Sequence, residues 1–206
     1  MIRNFTTVLF INFLLLVTIV SFGQTEKGNM LLGGGIDLGS TTYKRDNASD
    51  QKVFSFNFNP GVSYFVSDNL SVGLRVPFSY SKLNQDTFDD EKSSSISFGP
   101  MVRYYIPFNQ LAIFPEVSYV AGAGKFEGRY FDPILGSVIS STNKYNVSNF
   151  NIGLGLAYFL NNNVAIESVL SYNVVKTEYD SDSFSDTETL SVGFDIGFQI
   201  YFQTKK

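Results

Sequence analysis

From Gly28 onward the chain alternates large apolar residues with small or polar ones at a period of two, and no stretch carries the three-to-four spacing of an amphipathic helix. The last segment shows it best. Leu190, Val192, Phe194, Ile196, Phe198, Ile200 and Phe202 share one face, and Ser191, Gly193, Asp195, Gly197 and Gln199 share the other. The same alternation runs through residues 30–39, 54–64, 72–81, 96–106, 113–122, 150–158 and 164–173. The pattern therefore predicts an all-β chain of eight antiparallel strands, an even number that allows an up-and-down sheet to close on itself. Pro60, Pro77, Pro100 and Pro115 fall inside predicted strands. Each removes a ladder hydrogen bond, so bulges or kinks are expected there.

Alternation alone does not say which face points inward, since a soluble ligand-binding barrel has the same period with its apolar face inside. Composition of the faces decides. The polar face is mostly Gly, Ser, Asn and Ala, small enough for the interior of a narrow barrel, whereas the other is bulky and aromatic and suits contact with lipid. Asp37, Arg75, Arg103, Glu116, Glu167 and Asp195 all lie on the small-residue face. An Arg or Lys on the lipid side costs about 2–4 kcal/mol at the membrane midplane, while in a lumen it can pair with a carboxylate. These six residues are the candidate lumen network. Pairing of Arg75 and Arg103 with Glu116 and Glu167 is its expected, structural role. The connections alternate in length, with short turns at 67–69, 107–110 and 161–163 and long segments at 44–51, 82–93, 125–145 and 176–187. In an outer-membrane barrel the long ones emerge at the cell surface and both termini stay in the periplasm.

Residues 1–23 stand apart: Arg3 gives a positive flank, 8–20 is an apolar run, and Ser21, Phe22 and Gly23 offer a cleavage site. A run of about 13 residues makes a helix of roughly 20 Å, short of the roughly 30 Å of hydrocarbon. The segment is expected to be a helical signal peptide, leaving 24–206 as one barrel domain. The chain has 206 residues and a net charge of −4, with no basic stripe for a nucleic acid to track. It has no Cys and no His, which excludes thiol nucleophiles, Cys/His metal sites and imidazole proton shuttles. Neither a cofactor nor a catalytic group is expected. The acidic segment holding Glu178, Asp180, Asp182, Asp186 and Glu188 lacks the ligand spacing of a calcium loop and reads as a solvated surface. Gly33, Gly34 and Gly35, like Gly153 and Gly155, open no helix and precede no Lys-Ser/Thr, so they read as room for packing rather than a phosphate cradle.

The final strand contains Asp195-Ile196-Gly197-Phe198-Gln199-Ile200-Tyr201-Phe202. Asp195, Gly197, Ile200 and Phe202 occupy the defined positions of a polar-x-Gly-x-x-hydrophobic-x-aromatic sequence, which resembles the insertion signal of bacterial outer-membrane barrels. With the leader and the eight strands, the chain resembles the small OmpX, OmpA-barrel and OmpW type of protein from Gram-negative bacteria. The resemblance implies insertion by the barrel assembly machinery and a home in the outer membrane, with its lipid as the surrounding partner. The expected function is a non-enzymatic surface barrel whose long extracellular loops meet an unknown partner. A narrow OmpW-like conduit for small or hydrophobic solutes is the alternative, and a soluble periplasmic ligand-binding barrel a weaker one.

Overall fold

The computed structural model describes residues 23–45, 48–85, 91–132, 136–181 and 185–203. The expected leader falls outside these residues except for Gly23. After a short 3-10 turn at Gly23–Thr25 come ten strands: β1 Met30–Arg45, β2 Ala48–Ser67, β3 Leu70–Arg75, β4 Phe78–Gln85, β5 Glu91–Tyr104, β6 Ile106–Phe108, β7 Leu111–Asp132, β8 Ser137–Phe159, β9 Val164–Tyr179 and β10 Thr187–Phe202. They form a single antiparallel up-and-down sheet in which β1 pairs with both β2 and β10.

Ten strands stand where the alternation predicts eight, and proline and turn chemistry explain the difference. Strands β3 and β4 pair with the same two neighbours, β2 and β5. Arg75 faces Gly99 and Phe78 faces Ile96, so the register is unchanged across the break at Val76 and Pro77. Strands β5 and β6 likewise both pair with β7, with Arg103 opposite Glu116 and Ile106 opposite Ile113 on either side of Tyr105. The prolines thus remove rungs rather than inserting residues. Between Phe98↔Ala121 and Met101↔Ser118 the β5–β7 ladder skips the rungs at Gly99 and Pro100 without slipping. The expected bulges do occur, but elsewhere, between Tyr43 and Arg45 and between Phe65 and Ser67.

The two faces separate by parity. Ile36, Leu38, Leu74, Phe98, Leu154, Leu170, Phe194 and Phe198 are all more than half exposed on the outside, while Arg103, Glu116, Ser118, Asn151, Glu167 and Ser171 are buried inside. An outer surface this apolar is unsuited to water.

Two expectations change. The long segments at 44–51, 82–93 and 125–145 are largely strand rather than loop, while 176–187 is strand only at 176–179 and 187: β7 and β8 stay paired from Leu111↔Tyr158 out to Asp132↔Ser137. Polar residues stand on both faces over much of these stretches, so regular period-two hydrophobicity disappears although the ladder continues. The interior, too, is not small and ionic throughout. At the short-turn end Leu31, Phe65, Tyr105, Phe114, Phe159 and Tyr201 point inward and pack as one cluster with Ala112, Ala157 and Ala165.

Candidate functional site: the lumen network

Arg103, on β5, lies across the barrel interior. Its Nε donates to Glu116 Oε2 at 2.5 Å and its Nη1 to Glu167 Oε2 at 2.9 Å, while its guanidinium stands 4.9 Å from the Phe114 ring centroid. Arg75 donates from Nη2 to the other oxygen of Glu116 at 2.6 Å. Glu167 Oε1 accepts from Tyr201 at 2.9 Å and from Tyr105 at 3.3 Å. Two cations and two anions therefore neutralise each other, and the side chains of Arg103, Glu116 and Glu167 are 5%, 1% and 2% exposed. Charges so far from water need this degree of pairing.

The backbone makes room for the long side chains. Arg75 stands opposite Gly61 and Gly99, Glu116 opposite Gly153, and Glu167 opposite Gly197. Arg75 thus meets no cross-strand side chain at its own rung, while Glu116 and Glu167 each have a glycine on one side and, on the other, Arg103 and Ala157 respectively. Gly155 serves the layer below, where a Cβ would strike the Phe114 ring.

Asp37 and Asp195 face the same interior but join no ion pair among the described residues. Asn57 Nδ2 donates to Asp37 at 3.2 Å, and both aspartates line a polar cup of about 540 Å³ with Asn149, Asn151 and Asn173. The cup's floor is the network, around which only about 50 Å³ is free, room for a few waters.

Sequence reasoning passed over Tyr105, Tyr201 and Phe114, the residues that finish the network. Their signal is a doubled apolar pair beside each short turn: Leu31-Leu32, Tyr64-Phe65, Tyr104-Tyr105, Ile113-Phe114, Tyr158-Phe159 and Tyr201-Phe202. One member of each faces out and the other is buried.

Below the aromatic layer the start of the described chain folds across the base. Gln24, Thr25 and Asn29 are buried. Thr25 Oγ1 donates to Asn69 Oδ1 at 2.6 Å, and the Asn69 N–H to Thr25 O at 2.7 Å. Asn29 Nδ2 bonds back to the carbonyl of Gly23. Of the residues in the insertion-type sequence, Ile200 and Phe202 face outward, and Gly197 pairs with Gly35 where β10 meets β1. In the acidic segment Asp182 lies outside the described residues. Lys176 pairs with Glu188 at 3.4 Å, and among the described residues no group of carboxylates is arranged to hold a metal.

The profile of the family described as outer membrane protein beta-barrel domain matches residues 12–198. The chain belongs to that family. It is an outer-membrane β-barrel protein of the Gram-negative type, with strands that cross the membrane. No curated protein matches it. Among solved structures the chain is similar to OprG from Pseudomonas aeruginosa, at 15% identity and TM-score 0.49 over 89% of this chain and 100% of that one. It is similar to the translocator domain of the autotransporter NalP from Neisseria meningitidis at 12% identity and TM-score 0.51, over 87% of this chain and 64% of that one. Ail from Yersinia pestis matches at 17% identity and TM-score 0.40, over 85% of this chain and 99% of that one. At such identities the NalP likeness speaks to the fold alone. With the membrane established, the exposed Phe, Leu and Ile side chains are the lipid-facing surface of the barrel, and the Arg/Glu network is kept from lipid by the wall itself.

Proposed function

We propose that the ten segments act as eight staves of a closed barrel with a sealed lumen, and that the protein is a non-catalytic anchor for the β-hairpins it carries beyond the membrane. Residues 1–23 are read as a signal peptide removed on export and 24–206 as the barrel domain. Both termini then lie in the periplasm, and the long hairpins face an extracellular partner not yet identified. Asp195, Gly197, Ile200 and Phe202 serve in this reading as the signal to the assembly machinery, and no cofactor takes part.

One observation carries the sealed lumen: Arg103 is held between Glu116 and Glu167 over Phe114, directly above a layer of buried aromatic rings. A solute passing through would have to part buried ion pairs and then displace packed rings, and breaking one such pair costs about 3–5 kcal/mol. The polar cup favours the conduit as a second reading, because it offers a solute a lined chamber, with Asp37 and Asp195 on its wall.

Planar-bilayer recording separates the two. A sealed anchor gives no defined conductance steps, and opens only when Arg103 and Phe114 are both cut to Ala. Discrete, reproducible openings from the unaltered protein would overturn it in favour of the conduit.

A further inference from the structure

The sheet closes on itself where β1 meets β10, and this seam is paired over only part of its length. Its rungs run from Met30↔Phe202 to Gly35↔Gly197 and stop there. Beyond them β1 stays paired to β2 out to Arg45, and β10 to β9 out to Thr187. Residues 36–45 and 187–196 are therefore two strand edges that share no ladder with each other. Burial reports the same gap. Ser118, Asn151 and Ser171 point inward on other strands and are buried, whereas Asp37, Thr41, Ser191 and Asp195, of inward parity beside the seam, are exposed.

Unpaired backbone is costly against hydrocarbon but is tolerated where it lines a water-filled cavity. The polar cup lies behind this seam, with Gly35, Asp37, Ser191, Gly193 and Asp195 among its lining residues, so water in the cup reaches both edges. Continued outward, one residue up β1 for each residue down β10, the register sets Ile36 opposite Ile196, Asp37 opposite Asp195, Leu38 opposite Phe194 and Thr41 opposite Ser191. The apolar and hydroxyl pairs favour a ladder. Asp37 and Asp195 oppose it, because like charges directly across a rung repel, and theirs is the first inward rung beyond the last one formed. The charged groups acting on Asp195 are Arg75, Asp37 and Glu116, and Arg75 is already bonded to Glu116 at 2.6 Å. Asp37 has Asn57 across its rung on β2. The four residues of the network balance, two cations against two anions, so the aspartates are surplus negative charge beside the seam.

We propose that the β1–β10 seam beyond Gly35↔Gly197 is a pH-sensitive gate in the barrel wall, held open by the Asp37 and Asp195 carboxylates and zipped when one proton shared between them cancels their repulsion. Open, it joins the polar cup sideways to the surrounding hydrocarbon. Zipped, it extends the existing ladder in register and walls the cup off. Closing takes up a proton from water, so acid favours the closed seam. The gate lies beyond the Arg103 network and does not depend on whether the lumen is sealed below.

Spin labels across the seam test this in the full barrel in lipid vesicles. The chain has no Cys, so Leu38→Cys with Phe194→Cys places one label on each edge, both on the outward face. At about pH 8 the labels are apart and their spectrum is narrow. At about pH 4.5, where two carboxylates sharing a site hold one proton between them, dipolar broadening appears and the ratio of closed to open seam rises about fivefold. Asp37→Asn in the same labelled chain gives the broadened spectrum already at about pH 8. Labels at Leu32→Cys with Ile200→Cys, a rung that is already paired, are broadened at both values and supply the reference. Labels at 38 and 194 that give the same spectrum at both values would overturn the proposal, and so would Asp37→Asn with its edges still apart at about pH 8. Asp195→Asn removes the other carboxylate, is expected to act alike, and replaces Asp37→Asn should that variant lack the heat-modifiable gel mobility of a folded barrel.

Discussion

Arg103 is the residue on which the interior depends, because among the described residues it alone bonds both Glu116 and Glu167. Replacing it by Ala leaves two buried carboxylates short of their main partner, and a loss of about 3–5 kcal/mol follows. Arg75→Ala costs less, since Arg75 is 14% exposed and Glu116 keeps its bond to Arg103. Guanidinium unfolding of barrels reconstituted in vesicles measures both; equal losses would show that Arg103 has no special place. Gly155 gives a second prediction. Any side chain there meets the Phe114 ring, so Gly155→Val destabilises by about 1–3 kcal/mol in the same assay. Sequence parity placed all six ionisable residues on the inner face, but parity is blind to height along the barrel. The expected pairing took in Arg75, Arg103, Glu116 and Glu167, and the structure adds that Asp37 and Asp195 line the cup instead.

At the level of elements, the turn between β2 and β3 does more than reverse the chain. Asn69 sits in the left-handed region at φ 66°, holds Thr25 through backbone and side chain, and accepts from the Tyr105 N–H at 2.7 Å. Asn69→Ala puts an ordinary L-residue where Asn is tolerated and removes the acceptor for Thr25, a cost of about 1–2 kcal/mol. Faster proteolysis of the N-terminal segment in the folded barrel would report the loss. The β7–β8 hairpin poses the opposite case. Most of its outer rungs carry polar residues, Glu127 opposite Thr142 and Arg129 opposite Ser140 among them, so replacing residues 127–142 by a two-residue turn leaves heat-modifiable mobility unchanged, and loss of the folded band would show that the ribbon stabilises the barrel. Those outer rungs were not legible as strand, because with water on both faces nothing selects apolar residues at alternate positions. Short turns were legible from their Asn and Asp residues.

For the molecule as a whole, lipid outside and paired charge inside is one arrangement seen from two sides. Phe198 is 63% exposed on the outer wall, and Phe198→Arg costs about 2–4 kcal/mol if it lies near the membrane midplane. Vesicle-based unfolding again reads the effect, and a silent substitution would contradict the lipid-facing assignment. The same wall places the lysine pair Lys125 and Lys144 at the edge of an apolar groove, although the two residues are 19 positions apart in the chain.

The sequence by itself determined strand periodicity, the identity of the two faces and the side on which ionisable residues lie, because a pleated strand turns each residue's parity directly into a direction. Tertiary structure alone decided which residues share a height. The register between strands sets Arg103 against Glu116, brings Glu167 from β9 within reach of Tyr105 and Tyr201, and gathers six inward side chains into one buried cluster at one end. Such meetings join residues far apart along the chain through the stagger of neighbouring strands, and no local pattern encodes that stagger.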